Sequence, residues 1–316
     1  MTGMPTLLDL AKQVGNDISV GLIEESILVN PEIATFPARQ ISGTSYKTLI
    51  RTAYPTAQFR NINEGVPRSK SSFENRLVEA FVIDSQIAAD KALADVWQPG
   101  GAASYQMIEA VGVVEATMRR VAKSIYYGNS PAAVTAGVGD AKGFPGLIDA
   151  YDNVAHEVDA TGTTALTSVW AVKLGIKDVH IITGGDTTIN ILPEWRLQAL
   201  DDGTGNFFTA YVNSLMGWIG MQVGSLHSVV RIKKIGTDAT KGMTDSLGQQ
   251  AIELFPSGVV PDYFIMNRRS RRQLTQSRQP FATGALPTNV IVPLATDIEG
   301  VPLLITDAIS NNEGTL

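Results

Sequence analysis

The chain has 316 residues, 44% of them hydrophobic and 18% charged, which describes a packed protein with room for two domains or one large one. Its net charge of −6 supplies no global field to attract nucleic acid. Cysteine is absent, which excludes disulfides, thiol catalysis and cysteine-ligated metals.

The charged fraction is below the usual quarter, so part of the surface is expected to be covered by other protein. No apolar run approaches about 18 residues, and no basic-then-apolar leader opens the chain. A soluble protein without export or membrane insertion is the expectation. No internal repeat and no low-complexity tract interrupts the sequence.

Residues 5–30 carry two amphipathic pieces, Leu7, Leu8, Leu10, Ala11 and Val14, then Ile18 to Val29, which Pro31 should stop. Thr44 to Tyr54 reads as a strand, with Gln58 to Ile62 as its possible partner. Pro55, Gly65, Pro67 and the polar run Arg68 to Ser72 surround them, and apolar residues are too sparse for a core. A two-stranded excursion is expected there. An isolated hairpin is marginal in water, so it needs something to lie on. Phe73 to Asp84 alternates as a strand, and Ile87 to Trp97 reads as a short helix closed by Pro99-Gly100-Gly101.

Ser104 to Gly128 then predicts one long helix. Met107, Ile108, Val111, Val114, Met118, Val121 and Ile125 recur at steps of three and four. Ser104 is placed as N-cap and Gly128 as the left-handed residue after the end. Glu109 and Glu115 precede Arg119, Arg120 and Lys123, which suits the helix dipole. Such a rod is roughly 35 Å long.

The run Gly137, Gly139, Gly143, Gly146 has neither phosphate-loop spacing nor a strand feeding it, and reads as a junction. Residues 163–235 look β-rich: Ser168 to Leu174 and Val179 to Ile182 flank the turn Gly175 to Asp178. Phe207 to Met221 and Val229 to Ile235 follow, with turns at Gly184-Gly185-Asp186 and Asp202-Gly203. Thr244 to Phe255 is helical, Pro261 to Met266 a buried strand, and Asn267 caps a helix reaching about Arg278. That helix holds Arg268, Arg269, Arg271, Arg272 and Arg278. Without interleaved aromatics it reads as a solvated or intersubunit face, not a nucleic-acid platform. Asn289 to Pro293, a turn at Glu299-Gly300 and the strand Val301 to Thr306 close the chain.

No catalytic constellation emerges. His156, His180 and His227 fit no metal-ligand spacing, and no G-x-S-x-G elbow occurs. Asp201-Asp202-Gly203 is turn chemistry, and Asp149 and Asp152 have no helix to converge them. No catalytic, cofactor or metal residue is assigned.

Tyr127-Gly128-Asn129 followed by Phe144-Pro145-Gly146-Leu147 is similar to the G-N…F-x-G-L junction of the tailed-phage major capsid proteins, the Hong Kong 97-type fold. Thr167 to Gly175, Tyr211, Trp218-Ile219-Gly220-Met221 and Val229-Val230-Arg231-Ile232 resemble the S-[IV]-W/Y…AY…W-x-x-G…V-V-R-I series of its short-chain branch without a protease domain. Tyr263 to Arg268 with Arg271, then Gly300-Val301-Pro302-Leu303 and Asp307, resemble its closing segments. The resemblance spans roughly residues 35–310, and its specificity lies in the order of the motifs. One departure is Ile182-Thr183-Gly184-Gly185, where the family has a Tyr or Pro-Lys-Gly run.

The resemblance implies an α+β fold with an N-terminal arm (1–34), an extended two-stranded loop (35–75) and a peripheral domain (76–145) holding a spine helix at 104–127. An axial domain (146–300) containing the β-rich segment and a C-terminal strand and tail (301–316) complete it. It implies a head protein that assembles as pentamers and hexamers into an icosahedral shell around double-stranded DNA, without sequence-specific DNA binding, cofactor or membrane. Scaffold, portal and decoration proteins are implied partners, with assembly in the host cytoplasm. On this reading Arg51, Arg60, Glu64, Arg68 and Lys70 are candidates for intersubunit ion pairs. An encapsulin-like cargo shell shares the fold and stands as an alternative, and a soluble α/β enzyme as a second.

Overall fold

A computed structural model describes residues 28–97, 100–149, 156–185, 190–191, 194–278, 293–314 and 316. The first expected amphipathic piece, the second up to residue 27, residues 289–292, Asp152 and Asp186 lie outside them.

In chain order the elements are α1 (Glu32–Thr35), β1 (Ala38–Ile41), β2 (Ser45–Ala53), β3 (Ser72–Glu79), β4 (Phe81–Asp90), α2 (Lys91–Asp95), α3 (Gly101–Tyr127) and α4 (Pro131–Thr135). Then come β5 (Glu157–Asp159), β6 (Thr167–Val172), β7 (Val179–Gly184), β8 (Asn190–Ile191), β9 (Arg196–Asp201), β10 (Phe207–Val223) and β11 (Val229–Ile235). The last are α5 (Asp245–Glu253), β12 (Tyr263–Met266), α6 (Arg268–Ser277), β13 (Asp297–Ile298) and β14 (Val301–Ile305).

The 17-residue strand β10 organises the first sheet. At ~3.3 Å per residue it runs for about 56 Å, long enough to take several short partners in sequence. One side pairs with β4 over Ala210↔Asp90 to Ile219↔Phe81. The other side pairs with β9, then β8, then β7, and β1 adds to β7 in parallel. The second sheet runs β13-β14-β12-β6-β11-β5. A separate ribbon pairs β2 with β3.

One core joins the two sheets. Val121, Ile125 and Tyr126 of α3 pack with Ile219 and Met221 of β10, and with Trp170 and Val172 of β6. The alternate residues of β6, Val169 and Ala171, face the opposite way into a second core with Ala251 of α5 and Leu274 of α6. Every residue of β6 is therefore buried, as expected of a strand covered on both faces.

Several expectations are corrected. The helix α3 starts three residues before Ser104, which is inside it. Gly100 and Gly101 adopt positive φ and turn the chain into the helix, and Trp97 packs edge-on against Tyr105 at 5.4 Å to anchor the first turn. The apolar stripe is buried only in its second half. Gly128 does follow the helix with φ +50°, and a Cβ there would meet Gly146 N at 1.9 Å, so close approach as well as φ demands glycine.

The partner of β2 is β3, not Gln58 to Ile62, which carries no ladder. The run Phe73 to Asp84 is two strands, because buried Ala80 crosses between ribbon and sheet and donates its N–H to Thr44 O at 2.8 Å. Strand β4 continues through Ile87 to Asp90, where helix was expected, since those residues pair with Ala210 to Asn213. Strands β6 and β7 flank their turn but enter different sheets, joined only by a bridge at Leu174 and Val179.

Arg269 and Arg271 of α6, and Arg278 just after it, turn inward, while Arg268 and Arg272 are exposed. Arg269 donates to the carbonyls of Asn311 and Ala165, Arg271 to Ala295 O, and Arg278 bidentately to Asp245. Arg268 pairs with Asp307 at 3.2 Å. These guanidinium groups tie loops of their own chain. The Asn267 cap holds as expected, its Oδ1 accepting from Ser270 N at 2.9 Å.

Candidate assembly surface

Residues 51–70 are exposed without a break, and beyond Ala53 they make no ladder. Phe59 and Ile62 stand almost wholly in solvent, and Tyr54 is largely exposed. Large apolar side chains exposed in this way make the segment a candidate binding surface. The segment holds four cations and one anion, net +3, in a chain whose total is −6. The loop is thus basic on an otherwise acidic chain.

The candidate residues fall on this segment in three ways. Arg51 lies over the Tyr54 and Phe73 rings at 5.2 and 5.3 Å, which stiffens the root of the loop. Arg60 donates to Glu64 O at 3.0 Å, while Glu64 Oε2 accepts from Asn61 N at 3.2 Å. Arg60 and Glu64 thus build the tip turn without forming an ion pair. Arg68 and Lys70 are exposed and make no hydrogen bond or ion pair among the described residues. The ribbon is rooted in the body: Arg76 donates to Val223 O at 3.0 Å, and Tyr46 donates to Gln222 beside His180.

A second surface went unread in the sequence. Met107 is 71% exposed and Val111 54%, on the apolar stripe that the periodicity marks. Beside them a groove of about 650 Å³ is walled by Leu28, Val29, Ile33, Val111 and Met118, with the Glu115–Arg119 pair at its rim. Periodicity reports that a face is apolar, not whether its own chain or a neighbour covers it.

The histidines do not form a catalytic array. His156 and His227 stack edge-on at 5.1 Å, and burial holds His156 below its ordinary pKa, with the His227 ring adding to the effect. Asp201 and Asp202 accept from the backbone of their own turn, at Gly203 N and Thr204 N. Among the described residues no three His, Asp or Glu side chains gather as a metal site, and no helix is long and apolar enough to cross a membrane.

Comparison with known proteins places this architecture. The family model of the major capsid protein GP7 matches residues 34–316. The sequence finds no match among curated proteins. Among solved structures, the bacteriophage Epsilon15 structure aligns with a TM-score of 0.72 at 20% identity, covering 99% of this chain and 98% of that one. The bacteriophage JBD30 capsid aligns at 0.51 with 10% identity, over 95% of this chain and 97% of that one. The SrpI encapsulin of Synechococcus elongatus reaches only 0.45 with 7% identity, over 70% of this chain and 93% of that one, too distant to favour the cargo-shell alternative. The mixed fold, with its long helix and projecting ribbon, is thus the Hong Kong 97-like capsid fold, and the chain belongs to the GP7 family of major capsid proteins, structural subunits of tailed-phage heads.

Proposed function

We propose that copies of this chain close into pentamers and hexamers that tile an icosahedral shell around double-stranded DNA. The observation that carries this reading is the exposed segment 51–70, whose apolar residues have no place in their own subunit. Laid on a neighbour, Phe59 and Ile62 would each contribute roughly 1.5–3 kcal/mol by burial. Arg51, Arg60, Glu64, Arg68 and Lys70 would add intersubunit ion pairs at the rim of that contact. Each contact is modest. Heterologous contacts repeated around a ring close it, and many rings sum to a stable shell.

In this reading residues 1–34 are the arm, 35–75 the loop, 76–145 the peripheral domain, 146–300 the axial domain and 301–316 the closing strand and tail. The first sheet takes strands from both sides of residue 145, so that boundary separates roles along the chain within a shared core. The acidic balance suits a wall that does not hold packaged DNA by sequence. Arg269, Arg271 and Arg278 are engaged with groups of their own chain, which leaves Arg268 and Arg272 as the exposed cations of this helix. The head forms in the host cytoplasm with scaffold, portal and decoration proteins, and we assign it no catalytic activity and no cofactor.

Deleting residues 57–66 tests the reading. Assembly followed by light scattering should fall from shells to free subunits or small rings, with circular dichroism of the subunit unchanged outside the loop. Shells of normal size from the deletion variant would contradict it.

A further inference from the structure

Two consecutive tyrosines end the long helix, and each donates to a buried carboxyl from an opposite end of the chain. Tyr127 Oη donates to Glu313 Oε1 at 2.7 Å, and Tyr126 Oη donates to Glu32 Oε1 at 2.7 Å. The two carboxyls are otherwise unlike. Glu313 accepts from Ser168 N and Ser168 Oγ and faces the Arg231 guanidinium at 3.5 Å. Its negative charge is matched.

Glu32 is fully buried and pairs with no cation among the described residues. Its Oε2 has no well-formed hydrogen bond, only the nearby Thr306 hydroxyl. The groups around it are Tyr126 from α3 and, from the closing segment, the Thr306 hydroxyl and the Asp307 carboxylate. Asp307 itself is paired with Arg268 and also accepts from Val29 N at 2.9 Å. A bare carboxylate in that setting is costly, and a neutral carboxylic acid is not.

We propose that Glu32 is a proton-operated clasp for the N-terminal segment: neutral, it holds residues 28–36 on the end of the long helix, and ionised, it loosens them. The position supports the role. Residues 28–36 lie where the expected arm (1–34) gives way to β1, and the segment is also held by Val29, which accepts from Asp307 N and donates to its Oδ2, and by Phe36 in the main core with Ile33 packed against it. Burial raises the pKa of Glu32 above its ordinary 4.5, with Asp307 adding to the rise and the Thr306 and Tyr126 hydrogen bonds opposing it. A raised docked-state pKa means that docking stability is fully present below 4.5 and is lost as pH rises through the docked value. The proposal is independent of shell geometry, because it concerns contacts within one subunit.

Hydrogen–deuterium exchange of the full-length, unassembled subunit tests it, with each pH corrected for intrinsic exchange and residues 118–126 as internal reference. Protection of 28–36 should be greatest below pH 4.5 and fall as pH rises above it, by about tenfold for each unit of pKa shift. Glu32→Gln, which mimics the neutral acid, should remain protected throughout. A pH-independent wild type, or the same fall in wild type and variant, would overturn the clasp. Should the variant fail to fold, the wild-type profile against its reference decides alone.

Discussion

Arg231 is nearly inaccessible, and it lies between carboxylates from distant parts of the chain. Glu313 is 3.5 Å away and Glu157 3.7 Å, and Ser168 Oγ accepts from its Nε at 3.0 Å. Such a group is worth little against an apolar replacement, yet a great deal once half of it is removed. Glu313→Ala would leave a buried guanidinium short of a partner and also strand the Tyr127 hydroxyl. We expect a loss of about 3–5 kcal/mol, seen as a lowered midpoint of thermal unfolding of the free subunit. An unchanged midpoint would show that the tail is an ornament of the core and not part of it. Nothing in the sequence announces this pairing, since Arg231 sits in an ordinary alternating strand and Glu313 in a polar tail.

At the scale of elements, the end of α3 depends on one backbone crossing. Gly128 and Gly146 approach so closely that Leu147 N reaches Ile125 O at 2.7 Å and Ile148 N reaches Tyr126 O at 3.1 Å. Gly128→Ala would force these segments apart and impose positive φ on a residue with Cβ. The expected cost exceeds about 3 kcal/mol, read as insoluble expression or as a much lowered unfolding midpoint. A variant of native stability would disprove the crossing.

The same elements show what a sequence can reveal. The rod from Met107 to Ile125 was legible because a 3.6-residue period is local. Its true start was not, because Gly100-Gly101 reads as a stop and Ser104 as a cap, while the Trp97–Tyr105 packing that anchors the first turn is tertiary. The assignment of β6 and β7 to different sheets was equally hidden, since both are short apolar strands beside a turn. For the assembly surface, the sparse apolar content of residues 51–70 gave away the excursion. Whether Phe59 and Ile62 pair or project depended on a partner strand that turned out to be Ser72–Glu79. That half of the long helix is exposed could not be read from its periodicity, because an apolar stripe looks the same whether its own chain or another covers it.

For the whole molecule, the folded subunit keeps two apolar surfaces in solvent, the loop around Phe59 and Ile62 and the stripe at Met107 and Val111. It also carries a basic loop on an acidic body. A monomer bears these features at a cost in solubility, and a lattice removes the cost by burying them. The central claim is that assembly is what completes this fold. Electron cryomicroscopy of particles assembled from the full-length protein tests it most directly. The account predicts closed shells of five- and six-membered rings, with residues 54–71 lying against an adjacent subunit and Phe59 and Ile62 covered. Particles whose loops stand free in solvent, or a preparation that stays monomeric at every concentration with scaffold supplied, would contradict it.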